Sequence, residues 1–103
     1  GEAVASCQLE HAQLEPCAGW CEHDPMEILE RVQQCVQGAM EQAAREHGVA
    51  ASEVAGVGIT NQRETVVVWD RASGRPLHNA VVWHDLRTAD VVKELCEAHG
   101  GID

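Results

Sequence analysis

Two groups of residues in this sequence have the types and spacing to do chemistry. The first lies in GITNQRETVVVWD, Gly58 to Asp70, where an apolar run breaks into the five polar residues Thr60 to Glu64 and resumes at Val66. A tight turn between two strands ordinarily uses Asn-Gly, Asp-Gly or Pro. Here an adjacent cation and anion, Arg63 and Glu64, fill the break. A guanidinium only donates hydrogen bonds and an ionised carboxylate only accepts them. The bland outcome for such a pair is an exposed ion pair that contributes little. The second group is His11, Cys17, Cys21 and His23, with enough donors to hold zinc. Its gaps of five, three and one residues match no familiar zinc pattern, and His23 follows Cys21 too closely for an easy tetrahedron. The cluster reads as incidental, and no metal is expected.

Composition bounds the rest. The chain has 103 residues, one domain at most, and can bury roughly two-thirds of its unfolded surface. Apolar residues make up 45%, drawn mostly from Ala and Val; three Trp are the only aromatics, so any core is built of small side chains. Seven Lys and Arg face seventeen Asp and Glu, a net charge of −10. That field repels phosphodiester backbones and anionic lipid, which makes nucleic acid and membrane surfaces poor partners. No stretch approaches the ~20 apolar residues of a membrane span, and none resembles a cleavable signal peptide. Cysteines at 7, 17, 21, 35 and 96 give an odd count that argues for reduced thiols, as in the cytoplasm. Cys35 and Cys96 fall on apolar helical faces, where a free thiol behaves as a small hydrophobe.

The elements that must position these residues follow from periodicity. Ala3 to Glu10 alternates weakly and predicts a strand. Asp24 as cap, Pro25 at the first helical position and Glu27 three residues on predict a helix start with a capping box. Ile28, Leu29, Val32, Cys35, Val36, Ala39, Met40 and Ala43 then form one apolar stripe that reads as core, and Gly48 ends the helix. Val54 to Thr60 predicts a second strand. Thr65 to Trp69 and Leu77 to Trp83 predict a hairpin around the turn residues Asp70 to Pro76. Asp85 to His99 predicts a last helix, stopped by Gly100-Gly101. The order strand, helix, strand, hairpin, helix is α/β, and the first strand–helix–strand unit implies a parallel crossover. Both ends read as cuts through a larger α/β protein. No glycine-rich Walker loop or dinucleotide fingerprint occurs in the sequence.

The run Gly58 to Thr65, followed by Val67 to Asp70, Gly74 to Leu77 and Asn79 to Thr88, strongly resembles the glycerol-using members of the FGGY carbohydrate kinase family. Upstream, Gly19-Trp20 and Glu22 to Ile28 are similar to that family's G-W-V-E-H-D-P-M-E-I. The resemblance runs from about Gly1 to the second helix. Departures fall at Val66, where a second Thr is usual, and at Cys17 and Cys21, none of them on an expected contact.

The resemblance implies roles for particular residues. Arg63 and Glu64 would contact the hydroxyls of glycerol, and Trp83 would cover its carbon skeleton. Each glycerol hydroxyl both donates and accepts, so a fixed guanidinium beside a carboxylate can saturate a vicinal diol. Asn61 and Gln62 would orient the loop through the backbone. Asp85 and Arg87 would form a supporting pair or, the favoured reading, cap the last helix. Trp69 is expected to pack, and His78 and His84 to be exposed or packing residues. No catalytic residue is expected in this stretch. The implied fold is part of the N-terminal lobe of a ribonuclease-H-like, actin-like ATPase, and the implied cofactors are ATP and Mg²⁺, bound mainly by parts of the family outside the matched stretch. The implied parent is a homo-oligomer that phosphorylates glycerol to glycerol 3-phosphate, with this segment as half of the pocket. Two other classes stand beside it: a non-catalytic regulatory or interaction fragment, and a small zinc module built on His11 to His23.

Overall fold

A computed structural model describes residues 1–101. Its elements are β1 (Glu22–His23), α1 (Pro25–His47), one 3₁₀ turn (Ala51–Glu53), β2 (Ala80–Val81) and α2 (Ala89–Ala98), an α/β chain with a two-stranded sheet. The chain divides into two units. One joins Gly1–Ala12 to Asp24–Gln62, and the other joins Gln13–His23 to the residues from Arg63 onward.

The first unit is organised by α1, whose limits the local signals set. Asp24 is extended (φ −77, ψ 114), and its carboxylate accepts from the Met26 and Glu27 amides at 2.8 and 3.4 Å. Pro25 then starts the helix at no cost, because its missing N–H would be unpaired there anyway. At the far end Gly48 is left-handed (φ 69), and its amide and that of Val49 close onto Ala44 and Ala43 carbonyls. The capping box is only half made. Glu27 does not return to Asp24 but accepts from the Ala12 amide at 3.2 Å.

That amide is available because residues 1–12 are not a strand. The expected strand Ala3–Glu10 does not form. A strand exists only as a pairing, and among the described residues this segment has no backbone ladder. Side chains of α1 take its amides instead, Gln42 from Ser6 at 3.2 Å and Glu27 from Ala12. The expected strand Val54–Thr60 also fails for want of a partner: Val57 and Ile59 are 87% and 88% exposed. No parallel crossover is therefore made. The apolar stripe of α1 is core only in part, with Ala43 buried and Leu29, Val32 and Val36 exposed.

The second unit is antiparallel throughout. β1 pairs with β2, Glu22 opposite Val81 and His23 opposite Ala80. Leu14 bridges to Glu22 on one side and Val66 to Val81 on the other. The turn expected at Asp70–Pro76 is present, with Trp69 opposite Pro76 and the Asp70 carboxylate accepting from the Ser73 amide at 2.9 Å and from its hydroxyl. The expected strands Thr65–Trp69 and Leu77–Trp83, however, shrink to single bridges and Ala80–Val81. Between the Val66–Val81 and Trp69–Pro76 pairings one strand advances three residues and the other five, so two extra residues bulge out. Small side chains fill the centre: Cys21, Ala80 and Val82 are buried. Gly19 (φ 80) lets the chain pass close to Leu86, whose Cβ lies 3.4 Å from where a glycine Cβ would stand. The helix expected from Asp85 begins only at Ala89.

Asp24→Ala should cost about 1 kcal/mol of stability, and Asp24→Asn, an equally good cap, should cost little. Chemical denaturation followed by circular dichroism checks this. An alanine variant as stable as the parent would remove the cap from the account.

Candidate functional site

Arg63 and Glu64 form the turn that leads into the Val66 bridge. Glu64 has φ 67, and it is the one non-glycine residue in the left-handed region among the described residues. Such a backbone costs roughly 1–3 kcal/mol and persists only where the surroundings impose it. Both side chains are exposed, and among the described residues neither joins an ion pair. The exposed Arg–Glu pair that sequence physics would favour is not made. Instead the two side chains are presented separately.

Trp83 lies across the ladder. With Val66 opposite Val81, a continued ladder would set Glu64 opposite Trp83, but the left-handed Glu64 departs from it. The Trp83 amide donates to Thr65 Oγ1 at 3.3 Å; the residue is 63% exposed, its ring edge-on to His84 at 5.0 Å. Arg63, Glu64 and Trp83, the three residues expected to contact a small polyol, all lie in unit two, two or three residues from the Val66–Val81 bridge. Asn61 donates to the Gln62 carbonyl at 3.1 Å, a bond of the loop-shaping kind. Trp69 stands exposed and does not pack as expected; His78 and His84 are exposed.

Asp85 and Arg87 form the supporting pair, the less favoured of the two readings from sequence, and it extends to Glu22 and Asn79, which sequence reasoning passed over. Arg87 donates through Nε and Nη2 to the two oxygens of Asp85, both at 2.8 Å, and through Nη2 to Glu22 Oε1 at 2.7 Å. Asp85 also accepts from the Cys21 and Arg87 amides at 2.6 and 2.8 Å. Asn79, from the bulge, donates to Glu22 Oε2 at 2.9 Å. The Arg87 guanidinium lies 4.0 Å over the Trp20 ring. Side-chain exposure is 2% for Asp85, 5% for Glu22 and 17% for Arg87. Asp85 is therefore no helix cap; Thr88 precedes α2 without a side-chain bond. The carboxylate is taken by Arg87 and by a strand amide that would otherwise be stranded. Glu22 and the Asp-x-Arg spacing were visible as motif residues, but a contact spanning 65 residues leaves no local signal.

The electrostatics follow from these bonds. The Arg87 guanidinium holds the Asp85 carboxyl far below the usual carboxylate range, against the opposing effect of burial. Asn79 and then Arg87 hold Glu22 down in the same way. Asp85 and Glu22 in turn hold the Arg87 proton more firmly. Burial pushes the Cys21 thiol up, with Glu15 and Asp85 adding to it. Among the described residues no three His, Cys, Asp or Glu side chains could share a metal ion, so the geometry gives the zinc reading no support. Among the described residues no helix is long and apolar enough to cross a membrane.

Depressed carboxylates bind fewer protons folded than unfolded at mildly acid pH. Their contribution is whole above the unfolded value, ~4, and fades as pH falls through the lower folded values. Melting temperature should therefore hold steady from neutrality to pH ~4 and drop below it. Asp85→Asn should lower Tm at neutral pH and flatten the acid limb, because its share is already gone. An unchanged acid limb in that variant would contradict the cluster's role.

The sequence profile of the "FGGY family of carbohydrate kinases, N-terminal domain" matches residues 1–102. A glycerol kinase of Saccharopolyspora erythraea is 52% identical over 101 residues, covering 98% of this chain and 19% of that protein. One from Roseiflexus sp. strain RS-1 is 49% identical over 100 residues, covering 97% and 19%. Among solved structures, Plasmodium falciparum glycerol kinase with ADP is similar at TM-score 0.79 and 38% identity, covering 86% of this chain and 17% of that one. The chain thus spans about a fifth of the length of the curated relatives it matches. With a profile match over nearly every residue and relatives half identical to it, this chain belongs to the N-terminal domain family of the FGGY carbohydrate kinases.

Proposed function

We propose that this chain is the polyol-reading part of a glycerol kinase, an enzyme that transfers the γ-phosphoryl group of ATP to a glycerol hydroxyl. The observation that carries the reading is a strained turn that presents Arg63 and Glu64, unpaired among the described residues, beside Thr65, whose hydroxyl accepts from the Trp83 amide. The half-identical glycerol kinases support the substrate, and the ADP-bound relative supports the nucleotide. Residues 1–103 belong, on this reading, to one N-terminal domain of the ribonuclease-H-like, actin-like class, in a cytoplasmic enzyme that assembles as a homo-oligomer.

The chemistry assigned to the chain is binding and orientation. Arg63 donates to glycerol hydroxyl oxygens, Glu64 accepts hydroxyl protons, and Trp83 covers the carbon chain and excludes water from it. A site built to pair with hydroxyls rejects an analogue lacking one, because its own polar groups are then left unpaired. Mg²⁺ would offset charge on the transferred phosphate when bound. The described residues hold no cluster suited to it, so no transfer step is assigned to them.

Arg63→Ala or Glu64→Ala in the full-length enzyme carrying this segment should lower kcat/KM for glycerol by the equivalent of about 2–4 kcal/mol, with KM for ATP nearly unchanged. Glu64→Gly separates fold from function. It should lose glycerol turnover like the alanine variant, yet be more stable than that variant by about 1 kcal/mol, because glycine adopts φ 67 freely. Wild-type glycerol kinetics in either alanine variant would refute the assignment.

A further inference from the structure

In an antiparallel pair, the residues that exchange both backbone bonds recur at every second position along each strand. Val66 and Val81 are such a pair, with Val66 N to Val81 O and Val81 N to Val66 O both 3.0 Å. The next exchanging pair in that register is Glu64 with Trp83, two residues back on one strand and two forward on the other. That pair is not made. Glu64 leaves the extended region at φ 67, and no backbone bond joins it to Trp83 among the described residues. The Trp83 amide donates instead to Oγ1 of Thr65, the neighbouring side chain, at 3.3 Å.

We infer that Thr65 is a positioning residue of the polyol site, its hydroxyl taking over the ladder bond that Glu64 gives up. The inference rests on the glycerol reading proposed above. An amide released from a ladder must find another acceptor or lose free energy. A hydroxyl one residue from the vacated carbonyl supplies that acceptor from the side chain, which leaves the Arg63–Glu64 backbone free to leave the sheet. Trp83 meanwhile stays fixed opposite the turn, because its amide is still tied to the strand that carries it. Thr65 is half-buried, so its oxygen competes with water for the amide better than an exposed group would. The bond also helps to impose the left-handed Glu64, which an unconstrained turn would relax. Thr65 touches no substrate in this arrangement; it acts through Arg63, Glu64 and Trp83.

Replacing the hydroxyl with a methyl group of similar shape removes the side-chain oxygen while keeping the branched shape. In the full-length enzyme, Thr65→Val should raise KM for glycerol about tenfold, the usual size of one lost hydrogen bond, while KM for ATP and Tm stay close to the parent. Thr65→Ser, which keeps the oxygen, should restore the glycerol KM. In a Glu64→Ala background Thr65→Val should add little further loss, since the turn it positions is already impaired. Arg63→Ala serves as the reference. A wild-type glycerol KM in Thr65→Val beside an impaired Arg63→Ala would overturn the positioning role and leave the polyol reading standing. Failure of serine to rescue, or a full additional loss in the Glu64→Ala background, would likewise reduce Thr65 to a general structural role. An unimpaired Arg63→Ala would overturn both. If Thr65→Val does not accumulate as folded protein, Thr65→Ala carries the same comparison against serine.

Discussion

Arg87 between Glu22 and Asp85 is the interaction on which the rest of the second unit depends. It is a cation of low exposure, with three of its five N–H donors paired, two to Asp85 and one to Glu22, and the Trp20 ring against its face. Taking charges out of water is costly, and their mutual attraction offsets that cost only when every donor and acceptor finds a partner. Removing one partner would strand the other two. Such a cluster is therefore better understood as a device that fixes one arrangement than as a source of large net stability. Through it, three stretches are tied together: the start of β1 at Cys21–Glu22, the bulge at Asn79 and the turn at Asp85–Arg87. Trp83 lies between β2 and that turn, so its backbone is anchored on both sides.

The proposed polyol site uses this support asymmetrically. On one side stands a firmly held strand with a flat indole. On the other, a turn is kept in a conformation that Glu64 would not choose in isolation. The division suits the recognition of a molecule as small as glycerol. With few atoms to grip, a site gains selectivity by holding its donors and acceptors in place beforehand, not by closing more surface around the ligand. The absence of an ion pair between Arg63 and Glu64 has the same consequence. A mutually neutralised pair would have to be broken before either side chain could meet a hydroxyl.

What was legible in the sequence divides by range. The limits of α1 were readable because Asp24, Pro25 and Gly48 act within a few residues of themselves, and the hairpin turn was readable because Asp70 caps its own loop. Ala3–Glu10 and Val54–Thr60 carry strand-like patterns, yet neither becomes a strand, because a ladder needs a second segment that local pattern cannot supply. The start of α2 was misplaced by four residues for a related reason. Asp85 looks like a cap from its neighbours, but its carboxylate is engaged by Arg87 and the distant Cys21 amide. The proposed contact residues were readable only through the family motif. The Asp85–Arg87 pair was among the sequence readings, but Glu22 and Asn79, which complete it, could have been found only by asking where the few cations of a strongly acidic chain go.

The account stands or falls on where glycerol meets this chain. A crystal structure of the full-length enzyme with glycerol is the direct measurement. Glycerol hydroxyls within hydrogen-bond distance of both the Arg63 guanidinium and the Glu64 carboxylate, with the Trp83 ring against the carbon chain, are the predicted result. Glycerol seated elsewhere, or Arg63 and Glu64 paired to each other beside an empty Trp83, would contradict it.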